Sequence, residues 1–246
     1  MIIIGIIPAR YGSTRFPGKP LAMIGNKTMI QRVIEQAEQS IMLKDVIVAT
    51  DDKRIYEHVE SLGKKVVMTS DQHPSGTDRC LEALTKSGIA ADAVINIQGD
   101  EPFVDPSQID ALAQLIAVEG VEIATLAKKI DDAEVLFDPN KVKVAFAKNG
   151  RAIYFSRHAI PYQKSIAKEE WLQHHTYFKH IGLYAYKTST LKAISELEPS
   201  PLEVAESLEQ LRWLENGKSI FVAETTIETP AIDTPADLES VIKSMV

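Results

Sequence analysis

IIIGIIP, at residues 2–8, runs straight into ARYGSTRFPGKP at 9–20. Side chains of a strand alternate between two faces, so a strand with one wet face shows polar residues at every second position. An unbroken apolar run of this length therefore predicts a strand covered on both faces, as in a parallel sheet packed between helices. The segment that follows places Arg10, Arg15 and Lys19 among Gly12, Ser13, Thr14 and Gly18. Cations on a glycine-containing loop at a strand end point to an anion; a solvated surface loop is the competing reading.

The same alternation continues along the chain. TMIQRVIEQAEQS (28–40) sets Ile30, Val33, Ile34 and Ala37 at helical spacing, with Thr28 as its N-cap. DVIVATDD (45–52) is a second strand, RIYEHVESLG (54–63) a helix closed by Gly63, and KKVVMTS (64–70) a third strand. This βαβαβ order predicts parallel pairing with right-handed crossovers. DRCLEALTKSG (78–88), DAVINIQGDEP (92–102), SQIDALAQLIA (107–117) and EIATLAKKI (122–130) extend the series. After about residue 140 the pattern changes. KVKVAFAKNGRAIYFS (141–156) holds two alternating runs around Asn149-Gly150, a hairpin signal, so antiparallel structure joins the sheet. HIGLYAYK (180–187) and SIFVAET (219–225) read as strands, SLEQLRWLENG (207–217) as a helix ending at Gly217, and DTPADLESVIKSMV (233–246) as a last helix with Pro235 in its first turn.

The 246 residues are enough to bury a sizeable core, and no linker or repeat divides them, so one domain spanning 1–246 is expected. Lys and Arg number 27 against 34 Asp and Glu, a formal charge of −7, which argues against nucleic acid or an anionic membrane as partner and makes any anion site local. Arg10 ends the first apolar run well short of an export signal, and no stretch reads as a membrane span. The single cysteine, Cys80, excludes an internal disulfide and fits a reducing cytoplasm. It reads as packing.

Ligands of parallel α/β sheets gather at the carboxyl ends of the strands. There the chain places its cationic loop, then Asp51 and Asp52, then Asp100 and Glu101, with Asp233 further on. Cations beside carboxylates suit a polyphosphate with Mg²⁺, since phosphate oxygens need N–H donors and the metal needs hard oxygen ligands. The loop matches neither a Walker A motif nor a dinucleotide fingerprint: Gly12 is followed by Gly18-Lys19-Pro20, with neither the spacing nor the hydroxyl.

IIPARYGSTRFPGKPL (6–21) resembles the opening of nucleotidyltransferases that activate acidic sugars as CMP conjugates. HPSGTDR (73–79), NIQGDEP (96–102), YFSR (154–157), HIGLYAY (180–186), LEQLRWLENG (208–217) and DTPADLE (233–239) are together similar to the 3-deoxy-manno-octulosonate (Kdo) cytidylyltransferase family. The resemblance covers nearly the whole chain. It implies a Rossmann-like α/β fold with a mostly parallel sheet of the nucleotide-diphospho-sugar transferase type and an added antiparallel region after about residue 140. It also implies Mg²⁺-dependent transfer of CMP from CTP to Kdo, CTP in preference to UTP, a homodimer contacting through the region after residue 140, and a place in lipopolysaccharide biosynthesis.

By that resemblance Arg10, Ser13, Arg15 and Lys19 hold the CTP phosphates, and Ser75, Gly76 and Arg79 line the cytosine pocket. Asp100 and Asp233 hold the metal; with Arg10 and Lys19 they form the catalytic set. Gln98, Arg157, His180, Tyr184, Glu209 and Gln210 form the sugar-acid pocket. Local readings stand beside these. Asp78 and Asp233 suit helix caps, His180 suits a hydrogen-bonded core histidine, Tyr184 and Tyr186 suit packing, and Glu209 and Gln210 suit a solvated helix face. The same machinery acting on an amino-substituted Kdo or sialic acid, or a nucleotide-binding module without turnover, are the alternative functions.

Overall fold

The computed structural model describes residues 1–12 and 16–244. The opening run becomes β1 (Ile3–Ala9). Ile3, Ile7 and Ala9 enter one buried cluster while Ile4 and Ile6 enter another on the opposite face. That division is the physical reason the run is apolar without a break. Gly5 belongs to the first face, where a Cβ would come within 2.9 Å of the Ile97 and Leu43 side chains.

A short ribbon of β2 (Met23–Ile24) and β3 (Lys27–Thr28) leads into α1 (Met29–Ala37), whose first turn is closed by the Thr28 hydroxyl accepting from the Gln31 amide. β4 (Asp45–Thr50), α2 (Lys53–Ser61) and β5 (Lys65–Met68) follow, then α3 (Gly76–Ser87), β6 (Ala93–Asn96), α4 (Pro106–Ala117) and β7 (Ile123–Ile130). The later part holds α5 (Ala133–Phe137), β8 (Lys143–Phe146), β9 (Ala152–Ser156), α6 (Trp171–His174), β10 (Tyr177–Lys187), α7 (Thr188–Ser195), α8 (Pro201–Glu206), α9 (Glu209–Glu215), β11 (Ile220–Thr225) and α10 (Pro235–Ser244).

The main sheet runs β11-β7-β10-β6-β1-β4-β5. Every strand on this path shares one direction except β10, which pairs antiparallel with both β6 and β7. β8 and β9 form the expected hairpin, with Gly150 at φ 82° and the Asn149 side chain accepting from the Arg151 amide. One face buries Ile30 and Val33 of α1, Ile55 of α2 and Leu112 of α4; the other buries Cys80 of α3, Leu191 of α7 and Trp213 of α9. Segment 163–175, which carries no clear pattern in sequence, supplies the fully buried Trp171 to a smaller cluster with Ile130, Leu136 and Tyr177.

From β1 the chain steps outward through β4 to β5 and then returns to β6 on the other side of β1. Such a reversal leaves a crevice outside the carboxyl ends of the two central strands. The loop leaving β6 closes on the end of β1 there: a Cβ on Gly99 would lie 2.6 Å from the Pro8 carbonyl oxygen.

Candidate active site

A cleft of about 390 Å³ opens at this crevice. Arg10 and Lys19 line it from the loop after β1, Gly76 and Arg79 from the start of α3, Gln98 and Asp100 from the loop after β6, and Asp233 from the segment before α10. Gly18 shapes the first of these loops, taking φ 71° and donating its amide to the Tyr11 carbonyl at 2.9 Å. Ser13 and Arg15 lie outside the described residues.

Lys19 Nζ stands 2.8 Å from Asp100 Oδ2 and 3.3 Å from Asp233 Oδ1, so one ammonium bridges the two carboxylates expected to hold a metal. The Ile232 amide donates to the Asp100 carbonyl at 2.9 Å and pins the two segments together. The cap of α10 is another residue. Thr234 Oγ1 accepts from the Asp237 amide, and Asp237 Oδ2 accepts from the amides of Asp233 and Thr234 at 3.0 and 2.8 Å. The capping role considered for Asp233 thus belongs to Thr234, and the Asp233 carboxylate faces Lys19. Two carboxylates already converging on a cation fit Mg²⁺, which takes one or two protein carboxylates and draws its other oxygens from phosphates and water. Among the described residues no cluster of three or more His, Cys, Asp or Glu could hold a metal.

Arg79 is 1% exposed; it donates to Asp51 Oδ2 at 2.7 Å and to Thr69 Oγ1 at 2.6 Å. Asp51 is therefore a partner for Arg79, and Asp52 caps α2 by accepting from the Arg54 amide. Ser75 caps α3, accepting from the Asp78 amide and donating to Asp78 Oδ2. Its hydroxyl is occupied locally, and the cleft is lined instead by Gly76 next to it.

Towards the β10 side, Gln98 Nε2 donates to the Gly182 carbonyl at 2.9 Å. His180 packs edge-on against Phe155 and beside Tyr184, with Nε2 3.0 Å from Thr125 Oγ1. The Thr125 hydroxyl spends its proton on the Leu183 or Ile181 carbonyl, so the network assigns Nε2–H of His180 as donor and leaves Nδ1 as acceptor. Burial, helped by the charge of Lys179, pushes the His180 pKa down to about 3. Glu209 accepts from Thr77 Oγ1 at 3.0 Å, and burial raises its pKa. Gln210 is buried. Arg157 stands apart from the cleft lining: Nε, Nη1 and Nη2 donate to the main-chain oxygens of Glu206, Pro139 and Ser207. Three of its five N–H groups are thus engaged within the protein.

The sequence model of the cytidylyltransferase family matches residues 4–220. A 3-deoxy-manno-octulosonate cytidylyltransferase from Cytophaga hutchinsonii is 58% identical over 96% of this chain and 94% of its own. The chain belongs to the Kdo cytidylyltransferase family. A relative of the same name from Bacteroides thetaiotaomicron is 57% identical over 97% of this chain and 96% of its own. The solved structure of CMP:2-keto-3-deoxy-manno-octonic acid synthetase complexed with CTP matches 100% of this chain and 98% of its own, at 42% identity and a TM-score of 0.92. A cytidylyltransferase structure from Leptospira borgpetersenii, 19% identical with a TM-score of 0.64, shares the fold, covering 98% of this chain and 85% of its own.

Within this Kdo cytidylyltransferase fold, residues with no assigned role in the sequence reading also meet at the site. Glu101, noted there only as a rim carboxylate, has its pKa pushed up to about 7 by burial and by the neighbouring Asp100. It lines a second cavity, of about 950 Å³, that reaches Asp233 and His180. Thr125 and Thr77 carry no local signal, since each matters only through a side chain brought over from a distant element.

Proposed function

We propose that this protein transfers CMP from CTP to the anomeric hydroxyl of Kdo, releasing pyrophosphate, as an activation step for lipopolysaccharide biosynthesis. The reading further takes the enzyme to be Mg²⁺-dependent, cytoplasmic and homodimeric. The observation that carries it is the convergence of Lys19, Asp100 and Asp233 at the mouth of the β1–β6 crevice. That is the pairing of cation and carboxylates that a metal-bound triphosphate requires.

Arg10 and Lys19 supply positive charge to the triphosphate and to the pyrophosphate that leaves. Mg²⁺ held by Asp100 and Asp233 would polarise the α-phosphate. The anomeric oxygen attacks the α-phosphorus in line, the bond to the β-phosphate oxygen breaks, and the hydroxyl proton passes to water. With a pKa near 3, His180 is a poor base; its acceptor Nδ1 suits a hydrogen bond to a substrate hydroxyl. Tyr184 packs beside His180 with the Glu209 carboxylate near its phenol, Gln98 lines the cleft, and Arg157 retains two N–H groups for a carboxylate. Arg79 and Gly76 set the base end of the cleft.

Pyrophosphate release from CTP and Mg²⁺ with a panel of Kdo, an amino-substituted Kdo and sialic acid tests the assignment. Release with Kdo and much less with the others is the expected result. CTP binding without release for any acid would leave a nucleotide-binding module in its place.

A further inference from the structure

Asn96 ends β6 and sits directly across the ladder from Tyr184 of β10. It is 4% exposed, and its Oδ1 has no hydrogen-bond partner. The hydroxyls of Tyr184 and Tyr186 are likewise buried without a partner; Thr125 lies near the first and Thr77 near the second, outside hydrogen-bond geometry. The three groups share one face of the sheet, with the two phenol rings stacked 5.8 Å apart. Unmet polar groups in an interior destabilise the fold, and native proteins keep few of them.

This face meets the cleft. A Cβ on Gly76 would lie 3.7 Å from Asn96 Nδ2 and 3.6 Å from the Pro8 ring, and both Gly76 and Pro8 line the cleft. The carboxylate of Glu209 acts on both phenols from the α9 side. Asn96 thus borders the cleft, and the unpartnered Tyr184 hydroxyl across the ladder from it lies near a carboxylate expected in the sugar-acid pocket.

We infer that Asn96 is a further substrate-binding residue, whose carboxamide joins the Tyr184 hydroxyl in taking a hydroxyl of the sugar acid. A hydroxyl both donates and accepts, so a single one satisfies Oδ1 while accepting from Nδ2 or from the phenol. Phosphate oxygens only accept and leave Oδ1 unmet. The amino group of cytosine is the competing donor, because Gly76, the cleft residue beside Asn96, is expected in the base pocket; the pairing of Asn96 with Tyr184 and the nearby Glu209 favour the sugar acid, and the CTP affinity measured below separates the two. The inference rests on the cytidylyltransferase reading above.

Asn96→Leu keeps the bulk and removes both polar atoms. The KM for Kdo, the calorimetric affinity for CTP and the melting temperature are measured together in parent and variant. Expected are a Kdo KM raised about tenfold, the effect of one lost hydrogen bond, a CTP affinity unchanged within about twofold, and a melting temperature no lower than the parent's, because an unpartnered amide has been removed. An unchanged Kdo KM overturns the proposal, as does a CTP affinity that falls by the same factor. A lower melting temperature with an unchanged KM makes Asn96 a packing residue. If Asn96→Leu fails to fold, Asn96→Ala is read by the same criteria. A parent that releases no pyrophosphate with Kdo fails the functional reading itself and takes this proposal with it; a parent that turns over beside a variant with normal KM fails Asn96 alone.

Discussion

Lys19 sits where two carboxylates would otherwise repel one another. With Asp100 and Asp233 at 2.8 and 3.3 Å, its ammonium compensates both charges in the free protein. Asp100→Asn and Asp233→Asn each preserve shape while removing one charge. Each should lower kcat at saturating CTP and Mg²⁺ by roughly 100-fold or more, the range of several kcal/mol of lost transition-state stabilisation, with the melting temperature close to the parent's. A variant that keeps its rate would remove that carboxylate from the metal site. His180 makes a different prediction. An unfolded histidine titrates near 6.5, whereas burial, and secondarily Lys179, hold it near 3 in the folded chain. Between those values the unfolded chain binds a proton that the folded chain does not, so the stability tied to this group falls as pH drops below about 6.5. His180→Gln removes the titration. Melts from pH 7.5 to 5 should show the parent losing more stability than the variant, by at most about 2 kcal/mol at pH 5; parallel curves would show that His180 is not held neutral.

Among the elements, α10 separates folding from chemistry most cleanly. Thr234 and Asp237 close its first turn reciprocally, while Asp233, one residue earlier, faces the cleft. Thr234→Ala should cost about 1 kcal/mol of stability, the usual worth of an N-cap, seen as a lowered denaturation midpoint. Asp233→Ala should leave that midpoint nearly unchanged and lose turnover. The opposite pattern would return Asp233 to the role of cap. At the start of α3 a buried ion pair takes the structural part. Arg79 and Asp51 compensate each other's charge, with side chains 1% and 13% exposed; removing one partner leaves the other charge buried and uncompensated. Arg79 can therefore serve the cleft only while α3 and the end of β4 stay in register.

Across the whole molecule, Cys80 reports on the core. It is fully buried on α3, against the sheet face that also holds Ile4, Ile6 and Trp213, and burial pushes its thiol pKa well above the ordinary value. Its reaction with a thiol reagent needs the thiolate and access to it. The native protein should therefore label negligibly at pH 8 and fully in denaturant, at a native-state rate that tracks global unfolding. Rapid labelling of native protein would mean that α3 opens independently of the sheet. The continuous apolar run of β1, the helical spacing of α1, the Asn149-Gly150 hairpin and the Thr28 cap were all legible in the chain, because periodicity and turn chemistry act between residues close in sequence. So was the cluster of cations at the end of the first strand. The antiparallel region after about residue 140 was expected, but the place of β10 between β6 and β7 was not, since a strand's side-chain pattern does not name its neighbours. Nor was the engagement of Arg157 with Glu206, Pro139 and Ser207, the pairing of Arg79 with Asp51, or the neutral state of His180. Each of these depends on which distant segments the strand order brings within a few ångströms and how much water they exclude, and neither quantity is carried by the local pattern of residues.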